Sequence, residues 1–305
     1  MYTVEYISCK ICGRDEPRWL GTRGNREHAG AAPGADRGEH MVTNVVRCHH
    51  CGFIYTNPLI LNATGPDAGY GEAESYEASA GGDLAALFNA IIDRIETWWG
   101  GPPGRLLDVG CGKGEFLEVV RRRGWQVTGI ERSTGMAAHA AKALGLEVFC
   151  GTLEQARWSE GAFDVVTLNM VLEHIDDPHR LVSQVARLLN DHGLLFVEVP
   201  NMDSFMLACA RWYFRLKGSD WSPLLSPLHR PFHCYGYARG VLIRLARSHG
   251  LWPKATVVTD TSLRGFRPEG AHGAAERWAR HVLMRIGWVI GRGDILIMGF
   301  EKRGK

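Results

Sequence analysis

Between residues 84 and 130 the hydrophobic pattern changes period three times. Leu84, Leu87, Phe88, Ile91, Ile92 and Ile95 recur at helical spacing behind Asp83, a capping residue, and Gly100-Gly101-Pro102-Pro103 ends the run. The apolar strand Arg105–Val109 then enters a glycine-rich turn, Phe116, Leu117, Val119 and Val120 continue as a helix, and Trp125–Ile130 reads as a second strand. Strands alternating with helices in this way predict an α/β fold with a parallel sheet. Further on, Val241 to His249 reads as a helix, and so does 272–292, where Trp278, Val282, Leu283, Ile286, Val289 and Ile290 recur with Arg277, Arg280 and Arg285 between them. Such a helix covers a core more often than it lies on a membrane surface. Near the N-terminus the pattern is different. Phe53-Ile54-Tyr55-Thr56-Asn57-Pro58 is a strand that stops at proline, and 30–38 is a Gly/Ala-rich loop with nothing to bury.

At ~150 residues per domain, 305 residues suit two units or one large unit with an appendage. A chain this long buries ~75% of its unfolded surface and needs no disulfides. The 35 basic and 33 acidic residues leave a net charge of +2, no basis for tight binding to a nucleic-acid backbone. No apolar run is long enough for a transmembrane segment, and the first six residues lack a basic and apolar leader, so the expected location is cytoplasmic. The composition does not address oligomeric state.

Four of the eight cysteines form two pairs, Cys9-x2-Cys12 and Cys48-x2-Cys51, each followed by glycine. A C-x-x-C-G turn directs both thiolates at one ion, and two such knuckles supply the four thiolates of a structural Zn2+ site. Free thiols, a redox pair and disulfides are the alternatives. A redox motif needs only one pair, and disulfides do not suit a reducing compartment. His49 and His50 lie within the second knuckle as substitute ligands. A closed zinc site of this kind supports a unit too small for its own core. Nucleic-acid binding by such a ribbon is a sharper alternative, but no dense basic run accompanies it.

The richest segment is Asp108-Val-Gly110-Cys-Gly112-Lys-Gly114. Gly110 and Gly112 permit a tight turn and close approach of a ligand, and the helix that follows offers unpaired N–H groups. Glu131, twenty-three residues after Asp108, ends the second strand, placed to accept both hydroxyls of a ribose. A dinucleotide site has G-x-G-x-x-G; here the third glycine comes one position early. An acid two residues before the first glycine suits an ammonium or sulfonium better than a pyrophosphate.

This segment resembles motif I of the class I S-adenosylmethionine-dependent methyltransferases, and further motifs follow in that family's order. Phe163–Asn169 is similar to its fourth strand, Glu173-His174-Ile175-Asp176-Asp177-Pro178 to its E-H-x-x-D-P box, and Gly193–Asn201 to its fifth strand, while Asp294–Glu301 matches its antiparallel edge strand. The resemblance covers about residues 70 to 302. The double knuckle ending in Asn57-Pro58 recurs in a bacterial subgroup of glycan and secondary-metabolite methyltransferases.

The resemblance implies a Rossmann-like seven-stranded sheet with one antiparallel edge strand and a small N-terminal zinc ribbon. The units would be a ribbon over 1–60, a linker and leading helix over 61–104, and a methyltransferase domain over 105–305 with a substrate lid at about 201–237. It implies S-adenosyl-L-methionine held by Asp108, Gly110, Cys111 and Gly112 at its methionine portion, with Gly114 a packing glycine. Glu131 would hold the ribose, Thr152 and Leu153 would flank the adenine, and Asn169 and Met170 would lie beneath the methyl. His174, His229 and His233 are the candidate general bases, each also readable as a structural histidine. Glu173 and His174 have a further reading as ligands of a divalent metal, as in similar boxes of small-RNA methyltransferases.

The lid carries eight aromatics, Phe205, Trp212, Tyr213, Phe214, Trp221, Phe232, Tyr235 and Tyr237, and its prolines argue for a rigid loop over a helix. Aromatic walls with histidines suit a sugar or a planar metabolite, although packing of the lid onto the sheet accounts for them equally. The reading is methyl transfer, most simply to oxygen, on a small-molecule acceptor: a sugar, a glycan or lipid precursor, or a secondary metabolite. Zinc-ribbon sugar C-methyltransferases are similar at the front but carry a further domain beyond this length. The rivals are an RNA methyltransferase using the ribbon as its arm and a cofactor-binding scaffold without catalysis.

Overall fold

The computed structural model describes residues 2–24, 42–62, 84–225, 233–259 and 274–303. The loop expected at 30–38, the linker with Tyr70 and Tyr76, the cap Asp83, and His229 with Phe232 all lie outside the described residues.

The larger layer is a seven-stranded sheet built from β6 (Arg105–Val109), β7 (Gln126–Glu131), β8 (Glu147–Cys150), β9 (Phe163–Asn169), β10 (Leu189–Pro200), β12 (Leu251–Thr259) and β13 (Ile295–Lys302), in the order β12-β13-β10-β9-β6-β7-β8. From β10 to β8 all neighbours are parallel, whereas β13 runs antiparallel to both β10 and β12. The reversed strand therefore sits one place in from the edge, with β12 outside it. After β6 the chain works outward through β7 and β8, then returns to β9 on the other side. That reversal leaves a crevice at the carboxyl ends of β6 and β9, where ligands of open α/β sheets bind.

Helices cover both faces. On one, α1 (Leu84–Trp99) buries Ile91, Ile92 and Ile95 with Leu106, Leu117 and Phe196, the stripe its spacing predicts. The same face receives α2 (Glu115–Arg122), and α3 (Thr134–Leu144) follows β7, capped by the Ser133 hydroxyl, which accepts from the Met136 N–H. On the other, α4 (Pro178–Leu188) and α6 (Arg239–Arg247) bury Leu181, Val182, Val185, Val241, Leu242 and Leu245. Asp177 caps α4, accepting from the Arg180 N–H at 2.9 Å, with Pro178 in the first turn. The Asp-Pro of the box is thus a helix-start signal.

The ribbon consists of β1 (Tyr2–Glu5) paired with β5 (Leu59–Asn62), and of β2 (Pro17–Gly24), β3 (Val42–Cys48) and β4 (Ile54–Thr56) in one antiparallel sheet. A fourth strand is added to that sheet from far along the chain: β11 (Tyr235–Gly236) pairs with β4, Tyr235 opposite Tyr55. Phe53 stacks on Tyr55 and Tyr235 and lies tilted against Tyr237, with ring centroids 5.2–6.0 Å apart, and all four are fully buried. His179 at the start of α4 completes the seam, with Nε2 3.0 Å from the Ile11 carbonyl oxygen and Nδ1 2.9 Å from His249 Nε2. Ile7, Cys9, Ile11, Phe53 and Tyr55 belong to the same buried cluster as α4 and α6, so the described residues of the ribbon share their core with those helices.

Two expectations need correction. The segment after β10 is not a loop throughout, because α5 spans Phe205–Leu216. Its helix begins at Ser204, which accepts from the Leu207 N–H, and ends upstream of the prolines that argued against a helix. The C-terminal helix α7 (Ala274–Val289) does not blanket a core either. Met284 and Gly287 are buried, while Trp278, Ile286, Trp288 and Val289 are exposed, Trp278 and Val289 by 69% and 76%. Apolar residues surround this helix on several sides, and it packs against α5 rather than lying flat on the sheet.

Candidate functional site

Asp108 stands at the crevice, at the end of β6, and is buried. Across the sheet, the Thr167 hydroxyl donates to Asp108 Oδ1 at 2.5 Å and the Asn169 amide donates to the same oxygen at 3.2 Å, both from β9. Burial pushes this carboxyl up to about 7; the Glu131 charge adds to the rise, and the two hydrogen bonds oppose it.

The turn beyond β6 is tied to β7. The N–H groups of Gly110 and Cys111 both donate to the Ile130 carbonyl, at 2.8 and 3.2 Å. Gly110 and Gly112 adopt φ of 75° and 57°, a conformation that other residues enter only with strain. Gly112 has open space where a side chain would stand, so a ligand can approach the turn closely there. At Gly114 a Cβ would meet Leu146 Cδ1 at 2.6 Å and Ala140 Cβ at 3.0 Å, so this glycine is needed for helix packing. The Cys111 side chain is buried and would meet any side chain at Gly129.

Glu131 ends β7 with its carboxylate spanning the turn: Oε2 accepts from the Gly112 N–H at 3.0 Å, and Oε1 accepts from the Ser133 N–H at 2.8 Å. Each oxygen keeps lone-pair capacity for a further donor. The Gly151 N–H donates to the Glu131 carbonyl at 2.9 Å, which brings Thr152 and Leu153 beside the same strand end, with Leu153 buried. Met170 leaves β9 in the left-handed region, φ 56°, and its N–H donates to the Glu198 carbonyl at 2.9 Å. Such strain in a non-glycine residue persists only where neighbours hold it. The crevice thus joins a glycine turn, a helix N-terminus and two carboxylates, a set able to hold a ligand bearing paired hydroxyls and positive charge.

Just after Met170, a short 3-10 turn, Leu172–His174, carries two of the box residues. Glu173 is 1% exposed, and His233 approaches with Nε2 3.8 Å from Glu173 Oε1. The rings of His174 and His233 lie 4.9 Å apart. Burial, then the neighbouring His174, lowers His233 to about 3, so it is a neutral imidazole at ordinary pH. His174 and His233 come together here; His229 falls outside the described residues.

The four knuckle cysteines cluster with their Sγ atoms within 4.8 Å of one another, Cys9 to Cys51 at 3.4 Å and Cys12 to Cys48 at 3.5 Å. All four are free thiols. Thiolates ~2.3 Å from a tetrahedral ion lie roughly 3.8 Å apart, within the range these atoms span. The Cys9 thiol beside it holds Cys51 down to about 5, toward the thiolate form that ligates. His49 and His50 are exposed and are not in this cluster.

The lid aromatics do not share one wall. Tyr235 and Tyr237 are buried in the seam, Trp212 and Tyr213 face solvent, and Phe214 packs on Trp221 with centroids 4.4 Å apart, the guanidinium of Arg23 lying over the Trp221 ring.

Residues 83–252, more than half of the chain, match the family described as a methyltransferase domain. The chain belongs to that family. It is an S-adenosylmethionine-dependent methyltransferase. It is 29% identical over 199 residues to a ubiquinone biosynthesis O-methyltransferase of Rhodopseudomonas palustris, covering 61% of this chain and 69% of that one. It is 35% identical over 150 residues to the protein of the same name from Alkalilimnicola ehrlichii, covering 45% of this chain and 61% of the relative. Among solved structures, the [4+2]-cyclase SpnF superposes with a TM-score of 0.50 at 21% identity, covering 72% of this chain and 82% of that one, a likeness of fold. The double knuckle lies outside the matched family residues. No helix among the described residues is long and apolar enough to cross a membrane.

Three residues at the candidate site escaped the sequence reading. Thr167 reads as one more residue of a buried strand; only the pairing of Asp108 with Thr167 across β6 and β9 shows its hydroxyl on the acid. Tyr237 counted as a lid aromatic, yet its hydroxyl donates to the Leu172 carbonyl at 3.3 Å and steadies the turn under Glu173 and His174. Glu198 lies fully buried on β10, opposite Asn169. An acid between valines in a buried strand was a signal within reach.

Proposed function

We propose that the protein transfers a methyl group from S-adenosyl-L-methionine to an oxygen of a small-molecule acceptor: a sugar, a glycan or lipid precursor, or a secondary metabolite. The observation that carries this reading is the carboxylate of Glu131 bonded to the Gly112 N–H across the turn, with Asp108 buried behind it. In this reading Glu131 accepts from the ribose hydroxyls. Asp108, Gly110, Cys111 and Gly112 face the methionine portion, Thr152 and Leu153 flank the adenine, and Asn169 and Met170 lie under the reacting carbon. When bound, the cofactor supplies a methyl on a sulfonium, already a good leaving group. The protein's own task is then alignment of acceptor oxygen, carbon and sulfur.

A hydroxyl acceptor also gives up a proton. Of the two histidines brought together, His233 is held too weakly basic to take it at neutral pH. His174, on the turn directly after Met170, is the base in this reading, with Glu173 and His233 fixing its place. Oxygen is favoured over carbon because the curated relatives are named O-methyltransferases. The four cysteines hold a structural Zn2+ that ties the two knuckles and, through Ile11 and His179, the ribbon to α4.

Incubation with methyl-labelled cofactor and a panel of phenols, catechols, nucleotide sugars and bulk RNA tests the reading. Label is expected in a small product at oxygen. Label only in RNA, or cofactor bound with no transfer to any hydroxyl acceptor, would replace it.

A further inference from the structure

Four arginines gather between the ribbon and α5. Arg18 of β2 and Arg47 of β3 are direct cross-strand partners, a placement that sets like charges side by side. Ile54, the partner of Arg47 on its other side, belongs with Val45 to a small buried cluster against which Leu207 of α5 packs. Arg211 and Arg215 follow Leu207 at four-residue intervals, so they stand in the row of the helix that meets the ribbon. Arg211 lies close enough to feel the other three: burial, then the charges of Arg215, Arg47 and Arg18, lower it from the usual guanidinium range. Among the described residues Arg47 alone of the four has an ion pair, with Nη2 3.6 Å from Asp203 Oδ1 and both side chains partly exposed.

A guanidinium cannot relieve such repulsion by giving up its proton. Arg18 and Arg215 are exposed and can turn toward water, whereas Arg47 and Arg211 are half-buried. The Nε atoms of Arg47 and Arg211 are buried without a hydrogen-bond partner, a state that native structures seldom leave unanswered. Two orphaned donors from different elements, set among like charges, call for an anion.

We propose that Arg18, Arg47, Arg211 and Arg215 form an anion site between the ribbon and α5 that takes a diphosphate group. A carboxylate occupies one guanidinium fork, whereas a diphosphate presents oxygens enough for several. A net charge of only +2 over the chain argues against a long track for a nucleic-acid backbone. Arg211 lies seven residues beyond Ser204, the cap of α5, roughly 10 Å along the helix from the end of β10. In the methyl-transfer reading the diphosphate is the handle of the acceptor, a nucleotide-linked sugar or a lipid-linked precursor whose hydroxyl turns toward the crevice. That role rests on the reading; binding of the anion does not.

The test is calorimetry of the full chain with inorganic pyrophosphate at fixed ionic strength, zinc content being followed throughout. Saturable one-to-one binding is expected. Arg211→Gln and Arg18→Gln should each weaken it at least about tenfold. Arg122→Gln, which removes the same charge from an exposed position on α2, should leave it unchanged. No saturable binding at millimolar pyrophosphate, folded Arg211 and Arg18 variants that bind as wild type does, or an equal loss in all three variants would overturn the site. Should the first two variants fail to fold, phenylglyoxal labelling of wild type decides: pyrophosphate that shields Arg47 and Arg211 from modification supports the site, and no shielding overturns it. UDP-glucose bound more tightly than pyrophosphate supports the site with a nucleotide-linked ligand, and farnesyl diphosphate bound more tightly supports it with a lipid-linked one. RNA that binds through these arginines when no diphosphate does would overturn it in favour of a nucleic-acid surface. Calorimetry with S-adenosylhomocysteine keeps the two ideas apart. Nucleoside binding without pyrophosphate binding removes only the anion site, and pyrophosphate binding without nucleoside binding removes only the methyl-transfer reading.

Discussion

Replacing Asp108 by asparagine isolates one physical term. Burial pushes this carboxyl up to about 7, whereas an unfolded chain holds it at ~3.9. Each pKa unit corresponds to ~1.4 kcal/mol, so roughly three units amount to about 4 kcal/mol. The sign follows from proton counting. Between about pH 4 and 7 the folded protein keeps a proton that the unfolded chain has released, so stability falls as pH rises through that window. The contribution is whole below about pH 4 and gone above about pH 7. The asparagine variant has no proton to lose at this position, and its amide carbonyl still accepts from Thr167 and Asn169. Its advantage over wild type should grow by about 2–3 kcal/mol from pH 5 to pH 8, most of it below pH 7. Urea unfolding of both proteins, followed by circular dichroism at each pH without cofactor, measures this, because every other titrating group cancels in the difference. A gap that stays flat, or opens only above pH 7, would refute the assignment of a buried, proton-holding acid.

Glu131→Ala should weaken S-adenosylhomocysteine binding by ~1–3 kcal/mol, seen by calorimetry, through loss of charged hydrogen bonds; unchanged affinity would remove Glu131 from the ribose. Binding of the positively charged cofactor near pH 6.5 should drive Asp108 to ionise and release a proton, read as a heat that varies with the buffer's own ionisation enthalpy; buffer-independent heats would count against Asp108 facing that charge. Phe53→Ala empties the middle of the four-ring seam and should cost about 3–5 kcal/mol in chemical unfolding. A loss below about 1 kcal/mol would mean that the seam does not couple the ribbon to the sheet. Chelation strong enough to strip zinc, or Cys12→Ser, should free one ion per chain and expose residues 2–24 and 42–62 to protease; a wild type purified without zinc yet equally resistant would end the structural-zinc reading.

Much of the candidate site's geometry was legible because its signals are local. The glycines of the turn, the acid before them and the acid ending β7 are set by short-range geometry: a tight turn needs residues tolerant of positive φ, and a strand end exposes its last side chain to a ligand. The paired knuckles are local too, each placing two thiols within one turn. What could not be read is whatever depends on strand pairing. Thr167 meets Asp108 across fifty-nine residues, and His233 joins Glu173 only because β11 is drawn onto the ribbon sheet. The expectation of a loop after β10 failed at α5 because prolines mark where a helix cannot run but do not forbid one upstream.

By itself, then, the sequence determined the order of strands and helices, the glycine turn with its two acids, and the clustered thiols, since periodicity and turn chemistry act over a few residues. The tertiary structure decided which distant groups share a space: that the described residues of the ribbon share a core with α4 and α6, that two lid tyrosines support the seam and the turn rather than an acceptor wall, and that a carboxylate and two imidazoles converge. The reason is that side-chain neighbours across a sheet are chosen by topology and register, which bring together residues that no local pattern connects.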